Sequence, residues 1–479
     1  MNSGSLDSSQ KTLRYKRPML WLESVSGYFY PFEIIERKID TLEIIGEWET
    51  AEAILTGSLL ELDRFDDKIM LAEACSRLGS LKVNRGQYSD AGKVFDRSLT
   101  IFQDADDKRG QGRVLCNIAS IHHNRGDYDS ALDCLKEALG YAEELDNKQG
   151  ISRAIGNIGI IYYEKGDFQK AVEYYQRAMD ISRELGDQET ETISVGNIGM
   201  IYQEIGDYPK ALEYCTRYLK MAQSQGNKQV ISYALGNVGS IYFELDELKK
   251  AREYFKKYLE ISLELGDKPG QIVACDDMGI TEMFLGNFPA SQEYYDKALE
   301  LTSELSNAEN LAVLLANIGK LQARLGNMVQ AEGYFVKGIE SAKKTENNFQ
   351  LAQNYFFLAD FYHKEGRLQP AREYNQRALE LARETNCREV IINAGILENL
   401  LLAGDDRPRA VSGLETMLSD IQTEKHRAEI NYHLFKLAGR EVNREIAVGL
   451  YRELWQRSGN IDYRDRLKEI QTSINKREP

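Results

Sequence analysis

A carboxamide or carboxylate side chain recurs every forty residues along the middle of this chain, at Asn117, Asn157, Asn197, Asn237, Asp277 and Asn317. Asparagine is a mediocre helix former, more often spent on caps and turns. Its repeated use inside segments that read as helix predicts a polar task. A primary amide both donates and accepts hydrogen bonds, so a row of them can hold the backbone of an extended peptide whatever its side chains. The same amides can also bond to neighbouring helices, and the sequence leaves both uses open. Asp277 accepts but does not donate when ionised, and the column breaks at Arg77 and Phe357.

Helical spacing places positions four before, three after and seven after each amide on the same stripe. Four before stand Arg113 and Arg153, then Ile193, Tyr233 and Val273. Three after come Ser120, Ile160, Met200, Ser240 and Ile280, and seven after come Glu164, Glu204 and Glu244, followed by Phe284 and Arg324. The stripe therefore predicts a mixed face with Arg113, Arg153, Glu164, Glu204 and Glu244 as partner contacts beside the asparagines. Its acidic row favours a partner bearing lysine or arginine.

Reactive chemistry has no such signature. The chain carries no GxxxxGK[ST] loop, no HExxH, no GxSxG and no G-x-G-x-x-G after a strand. No enzyme activity, catalytic residue, metal or cofactor is expected. His122 and His123 are adjacent, about 100° apart on a helix, and cannot both ligate one metal well. His122 also shares the column of Tyr162, Tyr202 and Tyr242, which reads as packing.

The 479 residues are 42% hydrophobic and 28% charged, a globular balance. The net charge of −15 disfavours phosphate backbones and anionic membrane surfaces. Neither nucleic acid nor membrane is expected as a partner. The six cysteines form no C-x-x-C pair, which argues against zinc or a disulfide framework and for a reducing, cytoplasmic location. No secretory leader is expected, because no apolar stretch of sufficient length follows the first basic residues. No window reaches the apolar length of a membrane span.

The elements that must position the stripe follow from the same interval. Gly46, Gly86, Gly126, Gly166, Gly206, Gly286, Gly326 and Gly366 lie on one forty-residue grid, with Asp246 in the remaining place. Five residues on stand Ala51, Ala91, Ala131, Ala171, Ala211, Ala251, Ser291, Ala331 and Ala371. Ile155, Ile158, Gly159 and Tyr162 have helical i, i+3, i+4, i+7 spacing. Gly166 suits a left-handed helix stop and Asp167 a cap for the next helix. Pro209, Pro289 and Pro370 fall in first turns of second helices, where proline is tolerated. Each unit is thus predicted to be an antiparallel helix pair that buries its apolar face only by stacking. The expected organisation is a non-repeat arm over 1–32, nine tandem units over 33–385, and degenerate helical repeats with a cap over 386–479.

These columns resemble the tetratricopeptide repeat, whose usual length is 34 residues. The six extra residues, as in ELGDQE (184–189), are expected to lengthen the second helix and its exit turn. The forty-residue form, with N-x-G in the first helix and GD in the turn, looks like the arrays of kinesin light chains and of partner-of-Inscuteable scaffolds. It is also similar to arrays in bacterial signalling proteins that carry a cyclase, kinase or ATPase domain. The resemblance covers residues 36–385 and implies an all-α, right-handed α-solenoid. It further implies peptide-backbone binding by Asn117, Asn157, Asn197, Asn237 and Asn317.

The expected function is a non-enzymatic scaffold that binds a peptide or helix of another protein in its concave face. The alternative is a regulatory or sensor module of a signalling system. The segment 446–470 is similar to the ends of signalling proteins of that kind. The aromatic stretch WLESVSGYFYPFE (21–33) is expected to cover the first repeat, or else to fold into the groove.

Overall fold

Two turn motifs, alternating every twenty residues, generate the whole repeat. In the computed structural model, which describes residues 37–42, 47–63, 68–305, 311–421 and 423–475, a left-handed residue recurs at that interval from Gly86 to Asn386 among the described residues. At Gly166 the backbone N–H donates to Tyr163 C=O (2.8 Å) and that of Asp167 to Tyr162 C=O (2.9 Å). The Asp167 carboxylate then accepts from the Lys170 N–H at 3.2 Å, opening the next helix. Twenty residues on, Gly186 and Asp187 repeat the motif, with Asp187 capping Thr190 at 3.1 Å. Some exit turns use Asp106, Asp146, Glu346 or Asn386 in the left-handed place. Asp and Asn tolerate that conformation better than most residues.

The two helices of a pair are consequently almost equal, as in Lys148–Glu164 (17 residues) and Phe168–Leu185 (18 residues). Among the described residues every element is helical, and the chain is an α-solenoid of stacked antiparallel pairs. It divides into two compact units, Met1–Ser194 and Val195–Pro479. The aromatic stretch 21–33 and Gly46 lie outside the described residues.

Within several pairs, a bare position on the first helix receives a ring from the second, and at Gly199 it receives the Cys215 thiol. A Cβ on Gly159 would lie 3.1 Å from the Tyr175 ring, one on Gly239 2.7 Å from Phe255, and one on Gly279 2.5 Å from Tyr295. Where the first helix carries alanine instead, at Ala119 and Ala359, the residue sixteen positions on is the smaller Leu135 or Asn375. Ala171, Ala211 and Ala251 are fully buried on the second helices. Small residues on both faces let the helices approach closely.

The last part of the second unit departs from the grid. Helices Arg388–Leu402 and Arg407–Asp420 are followed by Glu424–Ala438, Glu441–Ser458 and Ile461–Asn475. The degenerate repeats expected over 386–479 therefore end in a group of three helices rather than in a further pair. Glu429 joins them, accepting from His433 Nε2 (2.9 Å), Tyr451 OH (2.5 Å) and Arg466 Nη2 (2.7 Å). This group docks back on earlier helices of the same unit. Arg324 makes a two-pronged pair with Asp462, both contacts at 2.6 Å. Ile461 sits over Gly286, where a Cβ would come within 2.9 Å of it. Asp246, the residue that departs from the glycine grid, is buried beneath Asn460 and Tyr463.

Candidate functional site

The asparagine column sits on the first helices, in mid-element, and the structure divides it into two classes. In the first unit, Asn117 Nδ2 donates to Ser76 Oγ at 3.2 Å. In the second, Asn317 is buried and its Nδ2 donates to both carboxylate oxygens of Asp276, at 3.0 and 3.2 Å. Asn157, Asn197 and Asn237 are half-buried, and none has a side-chain hydrogen-bond partner among the described residues. The cause lies in the preceding repeat. The acceptors Ser76 and Asp276 stand forty-one positions before Asn117 and Asn317. The equivalent residue is Cys116 for Asn157 and Gly196 for Asn237, and neither offers a side-chain oxygen.

The flanking columns are equally uneven. In the first unit, Arg113 pairs with Glu73 at 3.0 Å, whereas Arg153 is exposed with no ion pair among the described residues. Glu164 is exposed, and Ile160 and Ile193 present apolar surface. In the second unit, Met200 and Tyr233 do the same. Glu204 borders solvent but is walled by protein, and burial raises its carboxyl above the ordinary range. Glu244 is raised by burial and by the nearby Glu389. Its cationic neighbour belongs to the chain itself: Lys425 Nζ stands 3.6 Å from Glu244 and 3.1 Å from Glu389. The Tyr208 hydroxyl donates to Glu244 at 3.4 Å.

Around Asn317 the same face becomes a dense polar cluster. Burial pushes the Asp276 carboxyl up to about 6, offset in part by the Asn317 bond and by Lys320. Asp277 is raised well above the carboxylate range by burial and by Asp276. Burial lowers Lys320 to about 8; its ammonium lies 3.4 Å from the Phe357 ring centre, a cation–π contact that favours the charged form.

Sequence reasoning missed Lys425 and Asp462, which carry no repeat signature. It also passed over Arg109, an arginine in a column that reads Gln149, Glu189 and Gln229 in the following repeats. The signals were present in the departure of Asp246 from the glycine grid and in the residue forty-one positions before each asparagine. His122 Nδ1 lies 3.2 Å from Asp127, within its own turn. Among the described residues no group of three or more His, Cys, Asp or Glu is arranged to hold a metal. None of the described helices is long and apolar enough to cross a membrane.

Comparison with known proteins agrees with this architecture. A tetratricopeptide repeat model matches residues 70–144 and 110–184, and a MalT-like TPR region model matches 200–438. No curated protein gives a sequence match. Among solved structures, the apo form of the quorum sensor NprR from B. thuringiensis is similar at 16% identity and TM-score 0.56. That match covers 73% of this chain and 99% of the other. A Rap protein complexed with Competence and Sporulation Factor is similar at 15% identity and TM-score 0.53, covering 74% and 99%. The Rap conjugation gene regulator of plasmid pLS20, in complex with the Phr* peptide, is similar at 14% identity and TM-score 0.50, covering 70% and 96%. At these identities the structural likeness is one of fold. The repeat columns, the paired helices and the two family models together place the chain among the tetratricopeptide repeat proteins.

Proposed function

We propose that the chain is a protein-interaction scaffold, acting by binding rather than catalysis, whose first-helix face takes an extended peptide or helix of another protein. One observation carries this reading: Asn157, Asn197 and Asn237 keep both amide functions uncommitted, while Asn117 and Asn317 spend theirs between repeats. A half-buried amide with no bond to its own chain is free to donate to and accept from a ligand backbone. The exposed apolar residues beside the amides, Ile160 and Ile193 in one unit and Met200 and Tyr233 in the other, supply area for side chains. A regulatory role in signalling is the second reading, favoured by the likeness of fold to a gene regulator solved in complex with a peptide.

Replacing Asn157, Asn197 and Asn237 together by alanine is expected to weaken capture of the protein partner by about tenfold or more. Helicity should not fall, because none of the three amides supports a neighbouring helix. Affinity capture beside circular dichroism checks this. Unfolding of the variant, or undiminished capture, would remove the amides from the binding role. Nucleotide turnover by the pure chain would remove the non-enzymatic reading.

A further inference from the structure

One cleft in the first unit runs against the acidic character of the chain. Helices Lys68–Asn84, Lys108–Asn124, Tyr128–Glu144 and Lys148–Glu164 border a partly open cleft of about 410 Å³. Arg109, Arg113 and Arg153 line it, with Ala138 and Leu145 as apolar wall. Glu73, Arg113 and Arg153 occupy one column in three successive repeats. Stacking brings the first two together at 3.0 Å, so the column's only carboxylate is used and Arg153 is left over. Arg109 lies one helical turn before Arg113, is exposed, and has no ion pair among the described residues.

The other charged groups at the cleft are committed elsewhere. Asp107 caps its helix by accepting from the Gly110 N–H at 3.0 Å. Lys108 reaches Glu144 at 2.5 Å. Two guanidinium groups without an ion pair among the described residues therefore stand at one concavity, with only Asp107 as an unpaired carboxylate in its lining, in a chain whose net charge is −15. An isolated surface arginine is ordinarily solvated and needs no partner. Here both line one partly open cleft of ligand size, beside Leu145, which is 46% exposed. A guanidinium offers a planar fork that matches a carboxylate with two parallel hydrogen bonds.

We propose that this cleft anchors a carboxylate of an acidic peptide, held by Arg153 and Arg109, with Leu145 taking an adjacent apolar side chain. The proposal rests on the peptide-binding reading above and gives the ligand of the first unit a sign. That sign is opposite to the one the Glu164, Glu204 and Glu244 row implies.

The test uses the full chain and two rhodamine-labelled eight-residue peptides, alternating leucine with glutamate or leucine with lysine, followed by fluorescence anisotropy. The glutamate peptide is expected to bind at least about tenfold more tightly than the lysine peptide. Arg109→Gln with Arg153→Gln should remove that preference without loss of helicity, since neither side chain supports the fold. Arg109→Glu with Arg153→Glu should invert it. Equal binding of both peptides, no binding of the glutamate peptide, or unchanged affinity in the glutamine variant would overturn the assignment. The triple asparagine variant separates the two ideas. Loss of glutamate-peptide binding there, with retention in the arginine variants, sinks the cleft and keeps the amide face. The reverse result keeps the cleft and sinks the amides.

Discussion

At the scale of single residues, Glu429 shows how one carboxylate can organise three helices. Burial alone would raise its pKa. The bonds from His433, Arg466 and Tyr451 outweigh that burial and hold it well below the ordinary carboxylate range. A depressed folded pKa means a contribution that is complete above the unfolded value, 4.5, and lost as pH falls below it. Glu429→Ala removes the nearer of the two carboxylates beside Arg466 and should cost about 2 kcal/mol, less than breaking a fully buried pair, because Glu469 stays 3.2 Å from Arg466 and both members of the pair keep 29% exposure. Urea unfolding at pH 7, with hydrogen exchange read over 424–475, measures the loss. Acidifying the wild-type chain below pH 4.5 should progressively erase the difference from the variant. A difference that persists unchanged at pH 3 would refute the role given to the carboxylate.

At the scale of elements, several helix pairs are closed by a bare position and a ring sixteen residues apart. Gly239 and Phe255 make the clearest case, since Phe255 is 1% exposed and has no room to turn aside. Gly239→Ala would gain about 1 kcal/mol of helix propensity. Against this stands overpacking of about 1–3 kcal/mol, with the new methyl 2.7 Å from a buried ring. The steric term wins at so short a contact, and a net loss of up to about 2 kcal/mol is expected in thermal unfolding. Adding Phe255→Leu recreates the combination that Ala119 and Leu135 already use, and should recover most of the stability. A double variant less stable than Gly239→Ala alone would contradict this account of the pairing.

At the scale of the whole molecule, the second unit folds back on itself. Arg324 and Asp462 are separated by 138 positions, a long loop to close, although closure entropy grows only slowly with length. The docked end is held by that pair, by Ile461 over Gly286 and by Lys425 between Glu244 and Glu389. Arg324 and Asp462 retain 26% and 39% side-chain exposure, so solvent screens the pair. A double-mutant cycle with alanine should give a coupling of about 1 kcal/mol. Hydrogen exchange in the helix Ile461–Asn475 should accelerate in either single variant, while the repeats before residue 244 stay protected. No acceleration would mean that the apolar contact of Ile461 alone holds the end. The same closure gives Glu244 an internal lysine, which sets it apart from Glu164.

The repeat, the helix pairs and the candidate face were legible in the residues because the interactions that build them are short in sequence and copied many times. Left-handed turns, Asp and Asn caps and the glycine–ring pairs all act within about a repeat, so each leaves a column. Which asparagines remain uncommitted was also written there, in the residue forty-one positions earlier, but its meaning appears only when stacking sets that residue beside the amide. The docking of the last three helices had no such copy to announce it. Arg324, Asp462 and Lys425 meet their partners once, across distances that no periodicity spans, and only the tertiary path of the chain brings those charges together.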